Sequence, residues 1–520
     1  MAEPLSQPDS SEEERPEIHM LPWDGHNQKL IGNVHPADWV NPTPQERYHL
    51  VVIGAGTAGL VTAIVAAGLG AKVALIEKHL MGGDCLNVGC VPSKGVISAA
   101  RAWDPRHREQ FGAPEPSGDG DFGKAMERMR QLRANISDID GAQRFTDAGV
   151  DVFLGAGRFA EPGVVEVGGQ QLRYRKAVIA TGARAAAPPI PGLDGVEYRT
   201  NETIFSLTEK PKSLVVIGAG PIGCEMAQSF ARFGSEVTLI DMADHVLSRE
   251  DAEAAAVVEE SMLKDGVRLE MGAKILEVSE REENGSTVRV VTFERDGETH
   301  AAVGEELLVA VGRKPNVESL NLEAVGVDFD RGGVKVDERL RTSNKNVYAA
   351  GDVTHHLKFT HLADAHAAIV IQNALFFGRA KTSKLVVPWC TYTTPEIAHV
   401  GLYEHQAKEQ GIAVDVIKIA LDDVDRAILD GEDEGFLKVV LKKGSDEILG
   451  GTLVAHHAGD MIGPLSLAIT HGIGLGKFAR TIFPYPTQGE VLKKAANAWN
   501  KTRLSPTAKS VLSTWFKIFK

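Results

Sequence analysis

The sequence predicts an α/β protein: two Rossmann-like dinucleotide-binding units on parallel sheets, followed by a C-terminal α+β domain. Three observations carry this. One pattern occurs twice, an apolar strand, Gly-x-Gly-x-x-Gly, a helix, a second strand and an acid. The 520 residues are 43% hydrophobic but only 6% aromatic, so the apolar content is mostly Ala, Val, Leu and Ile, which suits parallel strands covered by helices. From about residue 386 the pattern changes to strands joined by a hairpin signal, Lys443-Gly444-Ser445-Asp446, and then helices.

The length fits three or four units of ordinary domain size. Lys and Arg number 56 against 70 Asp and Glu, a net charge of −14. This argues against general nucleic-acid binding and for a soluble, self-repelling surface. No apolar run reaches the roughly 18 residues of a membrane span. The opening MAEPLSQPDSSEEERPE lacks the basic and apolar regions of a signal peptide. Four cysteines fit a reducing compartment, and a cytoplasmic location is expected.

Taken in order, residues 1–47 form an arm. Its first 17 are polar, acidic and rich in Pro and Ser, and are expected to be disordered. Residues 18–47 read as ordered without regular structure, their apolar side chains packed on the body. Residues 49–53 are a buried strand that runs into Gly54, Gly56 and Gly59 and an alanine-rich helix; the next strand, Val73 to Ile76, ends in Glu77. Glycines allow the tight turn and close backbone approach, the helix N-terminus takes a pyrophosphate, and the acid takes ribose hydroxyls. The second copy has Val215–Ile217, then Gly218, Gly220 and Gly223, and a strand that ends before Asp241. A basic stretch from about 124 to 140 reads as a helix with a solvated face.

Between the two copies lies Gly82-Gly83-Asp84-Cys85-Leu86-Asn87-Val88-Gly89-Cys90-Val91-Pro92-Ser93-Lys94. Five residues rise about 7.5 Å along a helix, beyond the usual Cα span of a disulfide. Glycines at 82, 83 and 89 relax the backbone and let the sulfurs meet. Pro92 belongs in a first helical turn, so Cys90 lies near a helix start, where the dipole favours a thiolate. A pair that can close, with one sulfur activated, points to redox chemistry. A structural disulfide or two buried thiols are the competing readings, and a zinc site needs more ligands than this stretch offers.

Cys-x4-Cys-x-x-Ser-Lys after Gly-Gly-Asp resembles the pyridine nucleotide–disulfide oxidoreductases, which include glutathione reductase, dihydrolipoamide dehydrogenase and mercuric reductase. The resemblance implies that Cys85 attacks or ligates the acceptor and that Cys90 lies against the flavin, with Lys94 beside it. FAD is expected in the first unit, with Gly83 near it, and NADH or NADPH in the second. Asp241 favours NADH, because an acid binds a free ribose hydroxyl and repels a 2′-phosphate. Thr181 and Gly182 resemble a small-residue turn near FAD. Glu225 resembles the acid that pairs with Lys94. Gly312 and Arg313 mark the return to the FAD domain, and Asp352 resembles the aspartate that binds the ribityl chain. The implied layout is FAD-binding at 48–190 and 316–385, NAD(P)-binding at 191–315, an interface domain at 386–500 and a tail at 501–520, assembled as a homodimer.

The interface domain departs from the disulfide-reductase pattern. Where a His-Pro-Thr segment and a later glutamate would supply a base, this chain has Phe483-Pro484-Tyr485-Pro486-Thr487-Gln488-Gly489-Glu490. An imidazole titrates at about pH 6.5 and a phenol at about 10, so Tyr485 is a poor proton shuttle. The segment instead resembles mercuric reductase, which implies Hg(II) as acceptor, held by Cys85 and Cys90; Glu490 keeps the glutamate position. The tail carries no adjacent cysteine pair of the kind that hands Hg(II) inward in those enzymes. A small disulfide, a quinone or a redox protein is the alternative acceptor, and a redox-sensing flavoprotein is the non-enzymatic one. Cys224 and Cys390 read as packed thiols. In the tail, Val511, Leu512, Trp515, Phe516 and Phe519 fall on one helical face with lysines around it, a face suited to a membrane surface, a partner protein or the enzyme's own dimer.

Overall fold

The computed structural model describes residues 18–104, 110–112, 120–283, 285–354 and 357–519. The expectation of disorder for residues 1–17 lies outside that set.

The strand Tyr48–Ile53 is buried except at His49. Such a run has no solvent face, so it takes the centre of a sheet covered on both sides. It pairs in parallel with Val73–Glu77 and with Gln170–Ile179. The parallel order is Val150–Leu154, Val73–Glu77, Tyr48–Ile53, Gln170–Ile179 and Val347–Ala349. The last of these comes from the chain that returns after residue 316. The second unit repeats the arrangement with Arg268–Glu270, Glu236–Ile240, Ser213–Ile217 and Glu306–Val309. A three-stranded antiparallel sheet, Lys274–Glu283, Ser286–Arg295 and Glu298–Gly304, is attached to it. From Pro388 onward five antiparallel strands run in the order Pro388–Thr391, Glu396–Gly401, Ile448–Ala455, Phe436–Lys442 and Val414–Ala420. The helices Gly463–His471 and Glu490–Thr502 pack their apolar residues into the core of this sheet. The α/β fold with an α+β C-terminal domain is as expected. Among the described residues, no helix is long and apolar enough to cross a membrane.

Two elements differ from expectation, and they explain each other. The arm contains a helix, Gly25–Val34, capped by Asp24, whose Oδ1 accepts from Asn27 N at 2.9 Å. Its Leu30, Ile31 and Val34 join the core around the first sheet. The basic helix Phe122–Ile136 is not a wholly solvated face: Arg130 and Arg133 are buried. Arg130 Nε donates to Asp24 Oδ2 at 2.6 Å. Arg133 donates to Asn27 Oδ1 at 2.7 Å and to Asn87 O at 2.6 Å. Burial, and next to it the Arg130 charge, pulls Arg133 down to about 10. The arm helix supplies the acceptors that let two arginines leave water.

One core cluster joins Val96 and Ile97 of the helix Cys90–Ala102 to Met226 and Phe230 of the second unit and to Ile397, Phe436 and Val454 of the C-terminal sheet. The cysteine helix therefore sits where three units meet. Arg101 ties it further, donating to Glu396 Oε1 at 2.9 Å and Thr394 Oγ1 at 3.2 Å.

Candidate active site

The two glycine turns are built alike. Gly54 has φ +102°, and a Cβ there would lie 2.4 Å from Ala180 O. A Cβ on Gly59 would lie 1.8 Å from Gly54 O, so the helix can approach the strand only without a side chain. Gly83 brings its backbone against Gly56, where a Cβ would lie 2.7 Å from the Gly56 Cα. In the second copy Gly218 has φ +107° and a Cβ on Gly223 would lie 1.8 Å from Gly218 O. Both following helices, Thr57–Gly68 and Pro221–Arg232, begin at a glycine without a side-chain cap. The first-turn amides of both helices, Pro221 excepted because it has no N–H, are left without intrahelical acceptors, the donor set that suits a pyrophosphate. Glu77 Oε2 accepts from Ala55 N at 2.7 Å, and Asp241 Oδ2 accepts from Ala219 N at 2.6 Å. Each acid is thus held at the mouth of its turn.

The cysteines lie on either side of a break between two helices. Cys85 is in Gly83–Asn87 and Cys90 is the first residue of Cys90–Ala102. Gly82 and Gly83 take positive φ, +88° and +57°, which lets the short helix turn its sulfur back to the second. Both are free thiols within hydrogen-bonding reach. Cys90 falls to about 6, held down by the hydrogen bond from Cys85, then by Thr360 and the Lys94 charge, against burial and Glu225. Cys85 rises, through its bond to Cys90 and then burial. Cys90 is thus the more acidic sulfur of the pair and the one its surroundings favour as a thiolate.

Around Cys90 the structure brings together residues distant in sequence. Thr360 Oγ1 lies 3.3 Å from its sulfur. Lys94 Nζ is 3.0 Å from Glu225 Oε2 and 4.3 Å from the centre of the Tyr392 ring. Glu225 is buried, and its Oε1 accepts from Tyr392 N at 2.9 Å. Arg313 bridges Asp84 and Asp352, the latter at 3.6 Å, and donates to Ala183 O at 2.8 Å. Burial raises Asp352, with Arg313 opposing. Thr181 Oγ1 donates to Asn316 O at 2.6 Å, and Asn316 N donates to Gly182 O at 3.0 Å. Gly312, at φ +88°, precedes this junction.

Tyr485 and Glu490 are placed elsewhere within the chain. Tyr485 is 71% exposed and donates to Asp425 Oδ2 at 2.8 Å, which raises its phenol. Glu490 opens the helix Glu490–Thr502. Neither is among the groups contacting Cys85 or Cys90 in the described residues. Cys224 is buried, with its Sγ donating to Ala219 O at 3.3 Å. Cys390 is half-buried near Glu396. Burial raises both thiols, so neither is poised as a ligand. Among the described residues no group of three His, Cys, Asp or Glu is arranged to hold a resident metal.

Residues 48–369 match the family profile described as pyridine nucleotide-disulphide oxidoreductase, and residues 387–496 match its dimerisation domain. The chain belongs to the pyridine nucleotide-disulphide oxidoreductases. A mercuric reductase from Bacillus cereus is 37% identical over 456 residues, 87% of this chain and 72% of its own. A dihydrolipoyl dehydrogenase from Geobacillus stearothermophilus is 35% identical over 454 residues, 86% of this chain and 95% of its own. The HOCl-induced flavoprotein disulfide reductase RclA from Escherichia coli has a TM-score of 0.77 at 30% identity, covering 86% of this chain and 99% of that one. As a pyridine nucleotide-disulphide oxidoreductase the chain is an FAD-dependent enzyme that uses NAD(P)H, and its two glycine cradles fit those cofactors. Sequence reading of this oxidoreductase missed Thr360, Tyr392 and Asp425. No local motif marks them, because each acts on a partner at least 60 positions away.

Proposed function

We propose that this oxidoreductase uses NADH to reduce Hg(II) bound at Cys85 and Cys90. The observation that carries the reading is a pair with an acidified Cys90 thiol in a chain that has Tyr485, not histidine, at the position expected to supply a base from the other subunit. A soft dication bound by two thiolates needs soft ligands and no proton shuttle, whereas a disulfide acceptor needs a base for the departing thiol. Glu77 and the turn at Gly54, Gly56 and Gly59 would hold FAD, aided by Gly83, Asp352, Thr181, Gly182, Gly312 and Arg313. Asp241 and the turn at Gly218, Gly220 and Gly223 would hold NADH. Bound together, these cofactors supply a two-electron transfer from nicotinamide to the cysteine side.

The chain's own residues do the following. Lys94, fixed by Glu225, sets positive charge beside Cys90 and keeps it a thiolate. Cys90 as the thiolate, and Cys85 as its proton passes to a departing thiolate, displace the two thiolates that accompany Hg(II). The transferred electron pair would convert Hg(II) to Hg(0), whose departure would leave both sulfurs as thiolates. In a two-fold homodimer formed through the dimerisation domain, Tyr485 and Glu490 would face the cysteines of the other subunit. Asp425 holds the Tyr485 hydroxyl as a donor.

A disulfide acceptor is the second reading, favoured by the comparable identity to dihydrolipoyl dehydrogenases. One experiment separates the two. The FAD-loaded protein is titrated anaerobically with NADH, then given Hg(II) in excess thiol. Continued NADH oxidation with release of Hg(0) supports the proposal. A thiolate signal quenched without turnover, together with NADH-dependent reduction of a small disulfide, replaces it with the second reading.

A further inference from the structure

The helix Pro506–Ile518 takes no part in the chemistry above, and none of its residues is buried. It starts on local signals alone: Pro506 occupies the first turn and Ser505 Oγ accepts from Ala508 N at 3.1 Å. Val511, Leu512, Trp515, Phe516, Ile518 and Phe519 are 43–71% exposed. At 3.6 residues per turn they fall on one arc of about 160°. Lys509, Ser510, Ser513, Thr514 and Lys517 take the other side. The Trp515 and Phe519 rings lie 4.2 Å apart on the apolar side. From Val491 to Lys520 the sequence has seven Lys or Arg and no Asp or Glu, on a chain of net charge −14.

We infer that this helix binds an anionic lipid surface, lying in its plane. An aromatic apolar arc, bordered by Lys509 and backed by Lys517 and small hydroxyl residues, matches the layering of a headgroup boundary. The rings and aliphatic side chains enter the acyl edge, and the Lys509 stem reaches back to the phosphates. The chain's own acidic body is available to the basic helix, yet no residue of the helix is buried against it. The match to the family's dimerisation domain ends at residue 496, before this helix begins. The acidic remainder of the chain is repelled by the same membrane, so attachment runs through this segment and weakens with salt.

The test is flotation of the FAD-loaded full chain with vesicles of phosphatidylcholine alone or mixed with phosphatidylglycerol, at low and high salt. About tenfold more protein should float with the anionic vesicles at low salt. That excess should vanish at high salt and in the variants Trp515→Ser with Phe516→Ser and Lys509→Glu with Lys517→Glu. FAD content and NADH oxidation should stay unchanged in these variants, which shows that they fold. Equal partition into both vesicle types, or variants that float like the parent, would overturn the inference. A mass in vesicle-free solution that halves in the Trp515→Ser, Phe516→Ser variant would overturn it in favour of a second copy.

Discussion

Replacing Thr360 by valine should raise the Cys90 thiol by about one pH unit. The hydroxyl lies 3.3 Å from the sulfur, and valine keeps its shape without a donor. A hydrogen bond to a charged group contributes about 1.5–3 kcal/mol. The Thr360 bond ranks below the Cys85 bond among the causes that lower Cys90, which places it near the lower end. One pH unit corresponds to about 1.4 kcal/mol, so the midpoint moves from about 6 to roughly 7. The thiolate exists above its pKa and is lost as pH falls through it. Its ultraviolet absorbance in the NADH-reduced enzyme should therefore fade at higher pH in Thr360→Val than in the parent. Iodoacetamide trapping of Cys90 across the same pH range gives an independent profile. Cys85→Ser keeps a donor and should hold the low midpoint, whereas Cys85→Ala should raise it further, because the Cys85 bond is the largest stabilising cause. An unchanged midpoint in both Thr360→Val and Cys85→Ala would refute the hydrogen-bond account and leave Lys94 and the helix dipole to explain the thiolate.

Three further outcomes follow from the geometry. Gly59→Ala should yield protein without bound FAD, since the added carbon would sit 1.8 Å from Gly54 O; absorbance of the purified chain near the flavin maximum checks this. Asp241→Ala removes the acceptor held by Ala219 N and Ala243 N and the charge that repels a 2′-phosphate. The ratio of kcat/KM for NADPH over NADH should rise about tenfold. Arg133→Ala leaves Asn27 Oδ1 and Asn87 O without their buried donor. It should destabilise the chain by about 2–4 kcal/mol, read as a lower urea midpoint.

What the sequence discloses and what it hides divide by distance along the chain. The glycine turns, the acids that end their second strands and the Cys85–Cys90 spacing are local, so their roles can be read from a window of two dozen residues. The arm helix was also open to reading: Asp24 caps it, and Leu30, Ile31 and Val34 keep a helical spacing. Scattered Trp, Pro and Asn around it masked that period. The solvated reading of Arg130 and Arg133 failed for another reason. Their acceptors, Asp24 and Asn27, lie 106 positions earlier, and an arginine is placed inside or outside by its partner rather than by its own helix. The same holds at the site itself. Cys90 looks activated from its place at a helix start, yet Thr360 reaches it across 270 positions and Glu225 holds Lys94 across 131. The reaction class is therefore legible in the motif. The thiol's titration, which sets the pH range in which the motif works, is decided by contacts that only the folded chain creates.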